Sequence, residues 1–476
     1  MLFPTIDFAI FFAVAFVVSW LLSPHAIAWK LALIGLSYFF YSWWDWRFVF
    51  LLLASTLIAH LGALGVSRRG FAPKLARWSL IVSLAGLLGL LGYFKYYGFF
   101  AVNVDNALHT IGLVRLVPLI QPTLPVAISF FTFMAISYVV DVYRGRIDVA
   151  RPVDLAAYLC FFPHLIAGPI VRGEELLPQL RLRHNPAAVD FSRGIWMVMS
   201  GLFKKVVISS YVSSAIVQPV FSAPSAHSAP EVIFAAWGYA IQIYCDFSGY
   251  TDIAIGLALL LGVRFPVNFD APYTARNLQD FWRRWHITLS RWLRDYLYIP
   301  LGGGRGSNAQ VTRNIMITMV LGGLWHGANW TFIVWGTLHG VGQVVGHLRR
   351  RRRLERGLPA MADGPWRVGW QRFWTFQYVC LGWVFFNASS FSNAMSLLER
   401  LYDGWGAPSP LITPLLVIVV IVVVEVQFVP AGALESLQRL FSQQRAAIQA
   451  ATLGVTLLVI TTLGPTGVAP FIYYRF

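Results

Sequence analysis

The stretch NIMITMVLGGLWHGANWTFIVWGTLHG, Asn314 to Gly340, contains no Asp, Glu, Lys or Arg. It follows Arg313 and leads into the run Arg349–Arg353. Short arginine-rich segments mark the cytoplasmic loops of membrane proteins, so the chain between them is expected to leave the cytoplasmic side and return. The outgoing helix, near 311–323, covers roughly 20 Å at 1.5 Å per residue. A hydrocarbon core is about 30 Å thick, so this helix is expected to end inside the membrane, at Gly322–Gly323–Leu324–Trp325–His326. An imidazole at that depth gains little unless it pairs with something or acts on something. Irregular backbone there is tolerated only where it is buried in protein or lines a cavity. On the return helix Gly336, Gly340, Gly342 and Gly346 have the small-residue spacing of close helix packing.

The rest of the chain agrees with an all-α polytopic membrane protein. Only 12% of its 476 residues are charged, against about 25% in soluble domains, and 57% are hydrophobic. Apolar runs of spanning length recur at Phe8–Leu22, Phe48–Val66, Ser79–Tyr97, Leu411–Phe428 and Ala450–Leu463. The short alternating segments of a membrane β-barrel are absent. The first run has no preceding basic residue and no small-residue cleavage site, and is read as a span rather than a signal peptide. Cys160, Cys245 and Cys380 lie singly among apolar residues, without metal-ligand spacing, and read as packing residues.

The net charge of +16 is placed by topology rather than by a nucleic-acid partner. Arg68, Arg69, Lys74 and Arg77 form one basic loop, Arg144, Arg146 and Arg151 a second, and Arg172, Arg181 and Arg183 a third. With these loops cytoplasmic and the N-terminus outside, spans fall near 8–22, 31–44, 48–66, 79–98 and 124–140. Leu155–Val171 is broken by Pro163, Gly168 and Pro169 and reads as re-entrant or interfacial. A helix near 194–220 follows, then a stretch near 231–262 in which Asp246, Ser248 and Gly249 predict a break. Further spans are expected near 370–388, 411–429 and 450–463.

Arg276–Arg305 has different chemistry. On a helix, Trp282, Trp285, Leu289, Trp292, Leu293 and Tyr296 share one arc, with most of the arginines opposite. That pattern predicts an amphipathic helix at the cytoplasmic interface, with His286 at the border of its two faces.

The segments FWRRWHITLSRWLRDYLYIPLGGGRG (Phe281–Gly306), YAIQIYCDFSGYTDIAIGL (Tyr239–Leu257), FFPHLIAGPIVR (Phe161–Arg172) and LWHGANWTFIVWGTLHG (Leu324–Gly340) resemble the membrane-bound O-acyltransferases. The resemblance is to the bacterial alginate O-acetyltransferase-like branch, with the D-alanyl transfer proteins of teichoic acids as a related branch, and it covers most of the chain in order. It implies a ring of tilted helices, about 11 to 12 spans plus re-entrant and interfacial helices, around a central tunnel. It also implies a single membrane domain: N-terminal spans over 1–150, a catalytic core over 151–346, and C-terminal spans with an external aromatic tail over 347–476.

By the same resemblance the principal active-site histidine falls on His326 and the second characteristic polar position on His286. A transient acyl relay is implied in the tail, at Tyr473 or Tyr474. Asn329, His339 and Asp246 are candidates to orient His326 or to form polar wall. A histidine near its ordinary pKa suits general-base deprotonation of an attacking hydroxyl. The anionic thioester donor, acetyl-coenzyme A or an acyl carrier protein, suits Arg283, Arg284, Arg291 and Arg294. No tightly bound cofactor and no metal are expected. The implied function is O-acylation, most simply acetylation, of an extracytoplasmic polysaccharide by a protein of the bacterial cytoplasmic membrane, working with periplasmic acetyltransferase or polysaccharide-modification partners among membrane lipid. A transporter or flippase that moves a carrier-bound substrate without chemistry is the competing expectation; no convincing pair of inverted repeats supports it.

Overall fold

The computed structural model describes residues 1–113, 118–166, 168–182, 185–357 and 364–464, and among them there are helices and no strands. Among the described residues five helical segments are long and apolar enough to cross a membrane: Phe48–Gly70, Pro73–Thr110, Phe191–Ser222, Ala229–Leu260 and Ala446–Leu463. Ile6–Leu22, Ala26–Ser42 and Pro414–Val426 are shorter apolar helices. Several helices turn large aliphatic side chains outward, as Ile6, Ile10, Val14, Val17 and Leu21 do along the first. Ile6 is 79% and Leu21 70% exposed. Such contiguous apolar surface is ill suited to water and suits lipid.

The chain divides into two compact units, Met1–Ile195 with Ala254–Pro266, and Trp196–Ile253 with Val267–Phe476. In the first unit Ile128–Arg144 is almost wholly buried, with Phe131, Tyr138 and Val139 in its core. Gly62 of Phe48–Val66 lets that helix approach Pro73–Leu91, since a Cβ there would lie 2.6 Å from the Ser83 Cβ. Two buried carboxylates are paired: Asp154 receives Lys30, with Arg181 Nε at 3.6 Å, and Asp141 holds Arg146 at 3.3 Å. The expected break in Leu155–Val171 is an interruption at Phe161 between Pro152–Cys160 and the single turn Phe162–Leu165.

The second unit contains the two segments singled out above. Asn308–His326 and Trp330–Glu355 form a close antiparallel pair. Their glycines make it close, as a Cβ at Gly323 would stand 3.2 Å from the Gly336 Cα. Pro365–Asn387 packs alongside, its Tyr378 hydroxyl donating to the Leu338 carbonyl at 2.7 Å.

Three local expectations are corrected. Ala229–Leu260 is one unbroken helix rather than a broken one. Its polar residues are met by a neighbouring helical stretch: Asp246 pairs with Lys205, Asp252 with Lys204, and a Cβ at Gly249 would lie 2.8 Å from the Gly201 carbonyl oxygen. The residues that predict a break serve helix–helix contact instead. Second, Arg276–Arg305 is not one amphipathic helix. It forms Leu278–Arg284 and Ile287–Leu293, followed by a π-helical turn, Arg294–Tyr298. Trp282, Trp285, Leu289, Trp292 and Leu293 are buried in protein rather than laid on a lipid surface. Third, the helix before the Trp–His–Gly turn begins earlier and ends later than expected. Ser307 and Gln310 form a capping box at its start and His326 is its last residue. At 19 residues it is about 28 Å long, so its length no longer stops it short of the far face. His326 is secluded by the protein packed around it.

Candidate active site

His286 occupies the joint between the two short helices, with φ 42° and ψ 56° in the left-handed region. A non-glycine residue there is strained and needs local compensation. Asn268 supplies it. The Asn268 side-chain oxygen accepts from the Thr288 backbone N–H at 3.1 Å and the Thr288 hydroxyl at 2.9 Å, and lies 3.2 Å from His286 Nδ1. The Asn268 carbonyl also accepts from the Ile287 N–H at 2.9 Å.

This arrangement fixes a proton. A backbone N–H can only donate, so the atom facing Thr288 must be the Asn268 oxygen, and the amide orientation is settled. An amide oxygen can only accept, so His286 Nδ1 must carry hydrogen and donate. Burial pushes the ring's pKa below the ordinary histidine value. The neutral ring therefore holds its lone pair on Nε2. That atom is buried, with no hydrogen-bond partner among the described residues. Phe247 stands edge-on to the imidazole at 4.7 Å between centroids.

His326 ends Asn308–His326 in an aromatic enclosure. Its ring centroid is 5.0 Å from Trp325, 5.0 Å from Trp335 and 5.2 Å from Phe386, each near-perpendicular. Trp325 also lies 6.2 Å from His286, so one indole touches the enclosures of both histidines. The turn after His326 needs glycine for space, because the Phe332 ring occupies the place of a side chain at Gly327.

His339 lies on Trp330–Glu355, fully buried. The Trp282 indole N–H donates to His339 Nδ1 at 3.3 Å. An indole nitrogen never accepts, so His339 Nδ1 bears the lone pair and its hydrogen is on Nε2. This tautomer is opposite to that of His286. Trp335 contacts His339 at 4.8 Å and His326 at 5.0 Å, placing His339 one ring from His326.

The other expected residues are distributed as follows. The Asn329 side chain caps Trp330–Glu355, accepting from the Thr331 N–H at 3.0 Å. Asp246 is buried in its pair with Lys205, and its neighbour Phe247 is the ring packed on His286. Arg284 pairs with Asp280 at 2.9 Å and Asp270 at 3.5 Å, and Arg294 with Asp295 at 2.6 Å. Arg283 is exposed and Arg291 half-buried. Tyr473 and Tyr474 lie outside the described residues. Among the described residues no group of three or more His, Cys, Asp or Glu side chains could hold a metal ion.

Sequence reasoning missed Asn268, which carries no motif and lies 18 residues before the histidine it anchors. It also missed Trp335 and Phe386, which are conspicuous as aromatics but acquire meaning only when two helices bring them to His326.

In this polytopic helical membrane protein two buried imidazoles, His286 and His326, meet around one indole, Trp325. The model of MBOAT, the membrane-bound O-acyltransferase family, matches residues 127–390, more than half of the chain. The chain belongs to that family. It is 37% identical over 409 residues to the probable alginate O-acetylase AlgI of Azotobacter vinelandii, covering 85% of this chain and 78% of that protein. It is 35% identical over 401 residues to the peptidoglycan O-acetyltransferase of Helicobacter pylori, covering 78% and 73%. It is also 26% identical over 318 residues to the teichoic acid D-alanyltransferase of Streptococcus thermophilus, covering 60% and 74%. The protein is a multi-pass membrane O-acyltransferase of the alginate O-acetylase-like branch.

Proposed function

We propose that this enzyme moves an acetyl or similarly short acyl group from a cytoplasmic thioester to a hydroxyl of an extracytoplasmic polysaccharide, in the bacterial cytoplasmic membrane. The observation that carries the reading is the joining of His326 and His286 through Trp325 inside a buried aromatic cluster. His326 takes the proton of the attacking hydroxyl. The new C–O bond forms at the thioester carbonyl carbon, the C–S bond breaks, and the departing thiolate recovers that proton from His326 as a free thiol. His286 presents a lone pair at Nε2 and so provides a second proton acceptor rather than a donor. Seclusion among rings keeps water from competing as nucleophile.

Coenzyme A or a phosphopantetheine carrier supplies the thioester, with Arg283, Arg284, Arg291 and Arg294 as the cationic surface for its phosphates or acidic groups. The relatives' names specify alginate, peptidoglycan and teichoic acid, all cell-surface polymers, which supports a polysaccharide acceptor here. Tyr473 or Tyr474 would relay the acyl group to a periplasmic partner transferase.

Sidedness tests the proposal. Proteoliposomes of known orientation receive radiolabelled acetyl-coenzyme A on the side bearing Arg349–Arg353, with polysaccharide enclosed on the other. Labelled ester on the enclosed glycan is expected. Passage of label without a new ester would replace acyl transfer by transport, and ester formed only on the donor side would remove the transmembrane direction.

A further inference from the structure

His339 Nε2 carries a hydrogen, for the reason given above, and it is buried without a hydrogen-bond partner among the described residues. The indole Nε1–H of Trp335 is in the same condition. A buried N–H left unmade costs about 1–3 kcal/mol, so native proteins rarely keep two together without use. These two flank one line. His339 Nε2 lies 3.1 Å, and Trp335 Nε1 3.5 Å, from the point where a Cβ of residue 382 would stand. That residue is Gly382; a side chain there would crowd both donors, and glycine spares them that contact. Neither residue is peripheral, since the Trp335 ring is also packed edge-on against His326.

We propose that Trp335 Nε1–H and His339 Nε2–H are a two-donor cradle over Gly382 that holds the carbonyl oxygen of the transferred acyl group, an inference that rests on the acyl-transfer reading above. As the acceptor oxygen bonds to the carbonyl carbon, the C=O electron pair moves onto that oxygen. The two N–H groups stabilise the charge until the C–S bond breaks and the carbonyl reforms. The oxygen gains no proton, so the cradle consumes nothing. Trp282 acts one step further out as a positioning residue, because its indole fixes the His339 tautomer. The chemistry recognised is a thioester carbonyl, whatever thiol carries it.

The test uses the full-length protein in lipid vesicles with carbonyl-13C acetyl-coenzyme A as probe. Replacing Trp335 with benzothienylalanine keeps the ring shape and removes only the N–H. We expect kcat for ester formation to fall about 100-fold, with KM for the thioester and thermal stability unchanged. The bound carbonyl's infrared band should move to higher wavenumber as the donor is lost. His339→Gln retains an N–H donor and should keep more activity than His339→Leu. Gly382→Ala should lower kcat by intruding on the line. An unchanged kcat and carbonyl band in the isosteric variant overturns the cradle. So does equal loss in the two His339 variants, or a fall matched by loss of folded protein. A wild-type enzyme that forms no ester at all removes the acyl-transfer reading itself, whereas failure of the cradle leaves ester formation by wild type intact.

Discussion

His286 and His326 are both buried, but they are held in different ways. Around His286 the positioning is polar: Asn268 takes Thr288 and the imidazole on one oxygen, and a left-handed backbone joint turns the ring between two short helices. Around His326 the ring contacts stand out: a helix end brings the imidazole among Trp325, Trp335 and Phe386, and Gly327 makes room for the turn. A hydrogen-bonded knot fixes which nitrogen carries the proton, whereas a ring enclosure fixes where the imidazole stands and excludes solvent. The difference teaches that the two histidines are suited to unequal tasks, with the proton of His286 fixed by a hydrogen bond and the position of His326 fixed by the rings around it.

The largest expected effect breaks the comparison at its centre. Replacing His326 with Ala should lower acyl transfer by about 10²–10⁴-fold, with membrane insertion and thermal stability preserved, as read by radiolabelled ester and by thermal melting. Asn268→Leu comes next. It removes the acceptor of three bonds, leaves the left-handed joint only the backbone bond from Ile287, and should cost about 2–4 kcal/mol of stability together with activity. If His286 is fixed by that knot, the activity loss of Asn268→Leu should approach that of His286→Ala.

Phe386→Leu probes the ring enclosure. It should lower stability by about 1–2 kcal/mol and raise hydrolysis of the thioester relative to transfer, because a looser wall admits water; a release assay for free acetate measures that ratio. The smallest effect is that of Thr288→Val, which deletes one hydroxyl bond and should cost about 1 kcal/mol in denaturant melts, with the backbone N–H of residue 288 still holding Asn268 in orientation. A Thr288→Val loss as large as that of Asn268→Leu would mean that the knot is not centred on Asn268.

Much of this was legible in the chain, and what was not has a physical reason. The helices near 6–22, 48–66 and 128–144 follow from apolar runs that hydrophobicity alone specifies. Asp246 and Gly249 read as helix breakers because their partners, Lys205 and Gly201, lie 41 and 48 residues away and in no recognisable register. The split at His286 was hidden similarly. The periodic tryptophans of 281–293 fit a single helix, and only Asn268, from a loop, makes a left-handed residue there sustainable. His326 was conspicuous as a polar ring in apolar surroundings. The opposite tautomers of His286 and His339 depend on an acceptor-only partner at the first and a donor-only partner at the second, information that exists only in three dimensions.

The most direct test of the central claim is a single-turnover experiment on purified protein in lipid, comparing wild type with His326→Gln while His286 and its Asn268 knot remain intact. The protein is mixed with a stoichiometric amount of radiolabelled acetyl-coenzyme A and an excess of acceptor polysaccharide. The account predicts labelled ester in a single phase from wild type and essentially none from the variant, with the thioester still bound. Ester formed by His326→Gln at the wild-type rate would contradict it.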